Sequence, residues 1–320
     1  MVSDIFRIFF IGIFCLFPIL IWGYIFSYID NSDFHSRRFV SGIIAGAFSV
    51  VPVLYLENIL RFFGLNDINI FSLVSTGSGF FLIFSSIFAI SMIIAILLFF
   101  MTLFFINDFA NLIKIYYRNI LSLLLYSALF GFVYMIARNI PFLDFEIKNP
   151  VSIGSNIFNT FFLILIYYMI IGFIEEISKH FSFLPSSLSE INSAKSGVLL
   201  AIFIALGFGF IENILYINNI YLDKGGLSGD IFSTWIFRGI FSLFVHVLCS
   251  VIVGSYFSKA YLFYSDSMIR YIRVFLSGII ISVIIHAIFD ISLTLSFTAI
   301  IFIYLMFGYL YVTKIFYKEN

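Results

Sequence analysis

Nine stretches of this 320-residue chain are long and apolar enough to cross a bilayer. A spanning helix needs about 20 mostly apolar residues. The stretches run roughly over 5–29, 39–60, 80–106, 120–137, 157–184, 197–217, 232–258, 274–293 and 297–315. Backbone polar groups in hydrocarbon must bond within their own segment, so each stretch is read as a helix. Composition agrees: 62% of residues are hydrophobic and only 11% are charged. An ordinary soluble globule would not solvate such a surface, and a disordered chain needs the opposite balance. The expected architecture is all-α, a polytopic transmembrane helix bundle of about nine spans, with eight as the nearest alternative. No repeat and no Pro/Gly/Ser-rich linker divides it. Residues 1–320 therefore read as one integral membrane domain, with a catalytic core over about 157–295.

The first stretch is too long for a signal-peptide apolar region and has no small-residue cleavage site, so it reads as a true span. The segment 61–79 reads as a loop. Lysines and arginines favour cytoplasmic loops. With nine spans, five fall on the N-terminal side (Arg7, Arg61, Arg138, Lys148 and Lys224), and eleven fall opposite. The N-terminus is therefore expected outside and the C-terminus in the cytoplasm. Lys+Arg and Asp+Glu are equal at 17 each, with no long basic run, so no nucleic-acid partner is expected. Cys15 and Cys249 both sit in apolar runs and make neither a disulfide framework nor a cysteine zinc motif.

Charge inside the spans carries the functional signal. An ionisable group at the bilayer centre costs roughly 2.5–3.5 kcal/mol on insertion scales. Glu57 and Arg61 are i,i+4 near the end of span 2 and read as an interfacial ion pair. Spans 5 to 8 differ from the rest. Span 5 carries Glu175, Glu176 and Lys179; span 6 carries Glu212; span 7 carries Arg238 and His246; span 8 carries His286 and Asp290. By distance from the span ends these groups lie within two or three helical turns of a common depth.

Spacing suggests roles. Glu175 and Lys179 are i,i+4 and share a face, whereas Glu176 points about 100° away. Asp290, four residues after His286, is placed to hold its imidazole. Arg238, Ser242 and His246 form one stripe. Glu212 and Tyr216 form another, beside Asn213. Gly207 and Gly209 permit close approach of a neighbouring helix or a substrate backbone. His180 follows Glu176 at a metal-like spacing but reads as structural or surface. A lone buried histidine is more often a packing residue than a ligand. The conjunction of acids and imidazoles on four successive helices is instead the composition of a hydrolytic or metal site.

At these residues the chain resembles the PrsW-type intramembrane proteases, within the wider superfamily of CAAX prenyl proteases and bacteriocin-processing membrane proteases. The resemblance rests on Glu175-Glu176-x-x-Lys179, on GFGFIENILY with Glu212, Asn213 and Tyr216, on Arg238 to His246 to Gly254, and on His286-x-x-x-Asp290. It covers about 170–295, with GAFSVVPVLYLENIL in span 2 as weaker support. The wider set has Glu-Glu-x-x-x-Arg, Phe-x-x-x-His and His-x-x-x-Asn. Here Lys179 comes one residue early, Glu212 replaces a histidine and Asp290 replaces an asparagine, which fits the PrsW branch. The resemblance implies proteolysis of membrane-anchored proteins or peptides, with an anti-sigma-factor-like regulator as substrate, in a bacterial cytoplasmic membrane.

Peptide hydrolysis needs water, a base, and a donor or cation for the oxyanion. Glu175 or Glu176 is the expected base, Glu175 being the member that faces Lys179. Glu212, His246 and His286 are the expected Zn²⁺ ligands, two imidazoles and a carboxylate that leave a position open for water. A metal-free version uses the same residues, with glutamate activating the water. Asp290 orients His286, and Arg238, Lys179 or Asn213 steadies the oxyanion or substrate backbone. The rival reading is a transporter or channel that uses the midplane Glu, His and Asp as an ion or proton relay.

Overall fold

A computed structural model describes residues 2–29, 36–56, 58, 70–75, 77–106, 108–153 and 156–318. The chain runs through α1 (Val2–Ile29), α2 (Ser36–Leu54), α3 (Ile70–Ser75), α4 (Phe80–Met101) and α5 (Phe109–Ala137). A hairpin of β1 (Glu146–Ile153) and β2 (Asn156–Thr160) follows. Then come α6 (Phe161–Ser187), α7 (Ala194–Lys224), α8 (Gly229–Phe263), α9 (Met268–Thr294) and α10 (Thr298–Lys318). Seven of the described helices are long and apolar enough to span a bilayer. Two shorter apolar helices, Arg38–Leu54 and Ala299–Ile315, account for the remaining two of the nine stretches. The chain is a polytopic all-α membrane protein.

Local chemistry sets the helix limits. The Thr160 hydroxyl accepts from the Leu163 amide and starts α6. Ser193 and Ser196 cap α7 reciprocally, and Gly225 ends it in the left-handed conformation at φ 69°. Asp108 caps α5. That helix begins well before the expected 120–137, because Lys114, Arg118 and Asn119 interrupt its hydropathy without interrupting its helicity. Arg118 and Asn119 point inward, and both are buried.

Two other expectations change, and a third falls outside the described residues. Within 61–79, expected to be a loop, Ile70–Ser75 forms the short helix α3. Glu57 and Arg61 lie outside the described residues. Residues 157–160, assigned to span 5, belong instead to β2, and α6 starts behind its threonine cap.

Helices α6, α7, α8 and α9 make the interior, with α2 packed against α6 and α7. α1 lies at the rim and exposes Phe9, Phe10 and Tyr24 to the surroundings. α2 and α7 touch backbone to backbone. A Cβ at Gly46 would overlap the Ile204 carbonyl, and one at Gly207 would overlap the Ile43 carbonyl. In a bilayer, where lipid is as apolar as leucine, such close approach is a main source of helix association. Gly207 therefore serves a neighbouring helix, one of the two uses its sequence context allowed.

Candidate active site

Each of the four inner helices turns at least one ionisable residue toward one cavity of about 360 Å³. Glu175 comes from α6, Glu212 from α7, Arg238 and His246 from α8, and His286 and Asp290 from α9. Tyr168, Tyr216, Ser242 and Thr294 also line it. Glu176, Lys179 and Asn213 do not reach that wall. They are buried behind it, at 1%, 2% and 3% exposure.

The buried layer fixes the exposed one. Glu176 forms an ion pair with Lys179, three residues on. Its Oε1 also accepts from His286 Nδ1 at 2.8 Å, a carboxylate oxygen being able only to accept. His286 is thereby held with Nε2 toward the cavity. Lys179 lies 3.3 Å from His246 Nδ1 and over the Phe208 ring at 4.9 Å. An ammonium group only donates, so His246 Nδ1 accepts from it and Nε2–H donates to Glu212 Oε2 at 2.8 Å; Nδ1, 3.9 Å from Glu175 Oε2, carries the lone pair that a cation would take over from Lys179. Two expected pairings are thus exchanged. Lys179 pairs with Glu176, not Glu175, because Glu175 is turned to the imidazoles instead. The short hydrogen bond that orients His286 comes from Glu176, while Asp290 Oδ2 stands 3.6 Å from Nε2.

Arg238 occupies the far wall at the start of a π-helical turn, Arg238–Ser242. Such widened turns are rare and concentrate at functional sites. The turn's Gly239 carbonyl accepts from the Trp22 indole at 2.9 Å. Arg238 Nε donates to Asn213 Oδ1 at 2.9 Å, and its Nη2 lies 2.8 Å from Glu212 Oε2. The guanidinium sits 3.7 Å over the Tyr216 ring. Held on three sides, it is a cation with little freedom to reorganise.

One corner of the cavity is short of donors. Glu175 Oε2 is buried without a hydrogen-bond partner. It lies 3.5 Å from His286 Nε2 and 3.9 Å from His246 Nδ1. With Asp290 Oδ2 also facing Nε2, three acceptors converge on each other. Such an arrangement needs a proton or a cation among them. Glu175, His246 and His286 each offer a ligand atom, all within 4.8 Å of one another. Glu176, Cys249 and His286 form a second, overlapping group. Glu212, expected as the third ligand, belongs to neither group; its Oε2 lies 2.8 Å from both Arg238 Nη2 and His246 Nε2.

Cys249, Tyr168 and Thr294 are not site candidates by sequence. Cys249 follows His246 by three residues, and Tyr168 precedes Glu175 by seven, so both share a helix face with a site residue. Thr294 ends α9, and its Oγ1 lies 2.6 Å from the Tyr168 hydroxyl. His180 stays structural, as its context suggested. It is buried, lies 3.1 Å from Asn119 Nδ2 and packs against Phe257 and Phe275.

No curated protein and no solved structure matches the chain. The model of one protein family, described as PrsW family intramembrane metalloprotease, matches residues 117–315, more than half of the chain and all of α6 to α9. With an acid- and imidazole-lined cavity inside a membrane bundle, this match shows that the chain belongs to the PrsW family of intramembrane metalloproteases.

Proposed function

We propose that the cavity between α6, α7, α8 and α9 hydrolyses a peptide bond of a membrane-anchored protein, with a Zn²⁺ ion held by Glu175, His246 and His286. The observation that carries this reading is the donor-poor corner, where Glu175 Oε2 and Asp290 Oδ2 lie 3.5 Å and 3.6 Å from His286 Nε2 and Glu175 Oε2 is buried without a hydrogen-bond partner. Two imidazoles and a carboxylate suit zinc, and three protein ligands leave a position open. When bound there, the ion supplies a polarised water and a Lewis acid for the scissile carbonyl.

The remaining chemistry falls to the chain. Glu176 accepts the Nδ1 hydrogen of His286 and so presents the Nε2 lone pair to the cavity. Lys179 neutralises Glu176 in the low-dielectric interior, where a lone carboxylate would be costly. Among the cavity carboxylates, Glu212 is committed to Arg238 and Glu175 is the ligand. Asp290 remains free of any lysine or arginine partner among the described residues and takes the proton from the attacking water at Oδ2. Of the three oxyanion candidates, Arg238 alone lines the cavity. It donates to the tetrahedral oxygen, and Asn213, Glu212 and Tyr216 hold its plane. Substrates of the anti-sigma-factor type, a bacterial cytoplasmic membrane and an external N-terminus complete the reading. The lysine and arginine bias supports that orientation.

Purified protein and its variants test this against a single-span reporter substrate, with metal content measured in parallel. Glu175→Ala, His246→Ala and His286→Ala are each expected to lose both the metal and cleavage. Asp290→Asn is expected to keep the metal and lose cleavage. Full cleavage by the Glu175 and His246 variants would overturn the assignment.

A further inference from the structure

Residues 117–315 match the family, and α1 lies before them, at the rim of the bundle. α1 nevertheless touches the π-helical turn that carries Arg238. The chain has two tryptophans, and each donates an indole hydrogen bond across the seam between α1 and α8. Trp235 of α8 donates to the Phe14 carbonyl at 3.0 Å. The ordinary helical donor to that carbonyl would be the amide four residues on, but Pro18 stands there and has none. Trp22 of α1 donates to the Gly239 carbonyl at 2.9 Å, inside the π turn. Beside this bond Pro18 closes on Gly239, where a Cβ would stand 3.1 Å from Pro18 Cβ. The Trp22 ring is seated against Phe26 and Phe244, with centroids 5.5 Å away in each case. Near its other end α1 is tied to α7, where Arg7 Nε donates to Asn218 Oδ1 at 3.0 Å.

The π turn sets where Arg238 points. In it the Leu243 amide reaches back five residues to the Arg238 carbonyl, so the turn takes up one extra residue. His246 is eight residues beyond Arg238. In a regular helix, at about 100° per residue, the two would stand about 80° apart after two full turns. With one residue taken up, the spacing acts as seven, and residues seven apart share a face. Both side chains accordingly line one cavity. Return to a regular helix would swing Arg238 by about 100°, away from Asn213 and Glu212. The π form is the rarer one, so a contact made to the widened turn from outside helps to select it.

We infer that Trp22 is a positioning residue for the reaction: its indole bond, with Pro18 against Gly239, holds the π turn and so aims Arg238 into the cavity. The inference rests on the reading of Arg238 as the oxyanion donor, and it adds α1 to the site.

Trp22→Phe tests it, with Trp235→Phe as the control that breaks the same kind of bond across the same seam. Trp22→Phe is expected to lower kcat about 10- to 100-fold, with KM within about twofold and the metal retained, the pattern of a displaced donor. Trp235→Phe is expected to keep kcat within about threefold. On top of Arg238→Ala, Trp22→Phe is expected to cost no more than about a further twofold, because both changes act on one guanidinium. In Trp235→Phe protein, benzothienylalanine in place of the remaining tryptophan keeps the ring and removes only the N–H. It is expected to repeat the loss even where Trp22→Phe does not fold. Equal losses in the two tryptophan variants, or a full loss for Trp22→Phe on top of Arg238→Ala, overturn the proposal.

A second readout needs no turnover. In protein carrying isotope-labelled arginine, the Arg238 Nε–H resonance is identified by its absence from Arg238→Lys. Its exchange with solvent is expected to be at least about tenfold faster in Trp22→Phe than in the unsubstituted protein. Unchanged exchange overturns the proposal. Faster exchange in a protein whose Arg238→Ala variant keeps full kcat would remove the oxyanion reading and leave the support of Arg238 by α1 standing.

Discussion

Two buried polar clusters lie four residues apart on α6, and their contrast separates structure from chemistry. Around His180, each side chain named has found a partner, although Arg118 Nη1 is left buried without one. Asn119 Nδ2 lies 3.1 Å from its ring, the Tyr271 hydroxyl donates to Asn119 Oδ1 at 2.8 Å, and Arg118 stacks on Tyr271 and donates to the Ser265 carbonyl. Phenylalanines enclose the ring. Around Glu175 and Glu176, the polar groups are charged, and both glutamates keep an oxygen without a hydrogen-bond partner. A satisfied buried network stiffens a fold, whereas an unsatisfied one is costly and persists where something else must bind. The same residue types thus mean different things according to whether their hydrogen-bond capacity is closed.

The contrast breaks most sharply at the ligands. His246→Ala or His286→Ala is expected to reduce cleavage to background and to remove the metal, while His180→Phe keeps both. Elemental analysis beside a reporter assay reads this, and a His180 variant without metal would erase the distinction. Asp290→Asn comes next, with kcat lower by about 10²–10⁴ and the metal retained. A metal-free Asp290 variant would move that residue into the ligand set.

Arg238→Ala is expected to lower kcat by about 10²–10³, the range for one lost oxyanion donor, with the bundle intact by circular dichroism. A rise in KM alone would make Arg238 a substrate anchor. The smallest effect belongs to the satisfied cluster. Tyr271→Phe leaves Asn119 Oδ1 without its donor and is expected to cost about 1–3 kcal/mol of stability, with kcat unchanged. Thermal unfolding in detergent and the reporter assay together measure it. Lost turnover at full stability would couple the two clusters.

Much of the fold was legible because the bilayer imposes a simple rule. Runs of about 20 apolar residues become helices, and each expected stretch has a helix at its place. The limits were less legible where polar residues face the interior. Arg118 and Asn119 look like a loop in a hydropathy reading, yet inside α5 Asn119 meets His180 of α6 and both meet Tyr271 of α9. The β1–β2 hairpin leaves no such trace, because its apolar residues merge with those of α6.

The site divides in the same way. Every candidate site residue lies in or directly behind one cavity, because a charge in a membrane span must be compensated by another. That cost is written in the sequence. Which charge meets which is not, since a helix face fixes direction to within about 100° but leaves the neighbouring helix unspecified. Lys179 could serve either glutamate by spacing, and only the packing of α6 against α9 gives Glu176 to Lys179 and His286 and leaves Glu175 open to the cavity. The sequence by itself determined the helices and the small set of residues that must converge. Tertiary structure decided the pairing within that set, because pairing depends on ångström-scale distances between segments far apart in the chain.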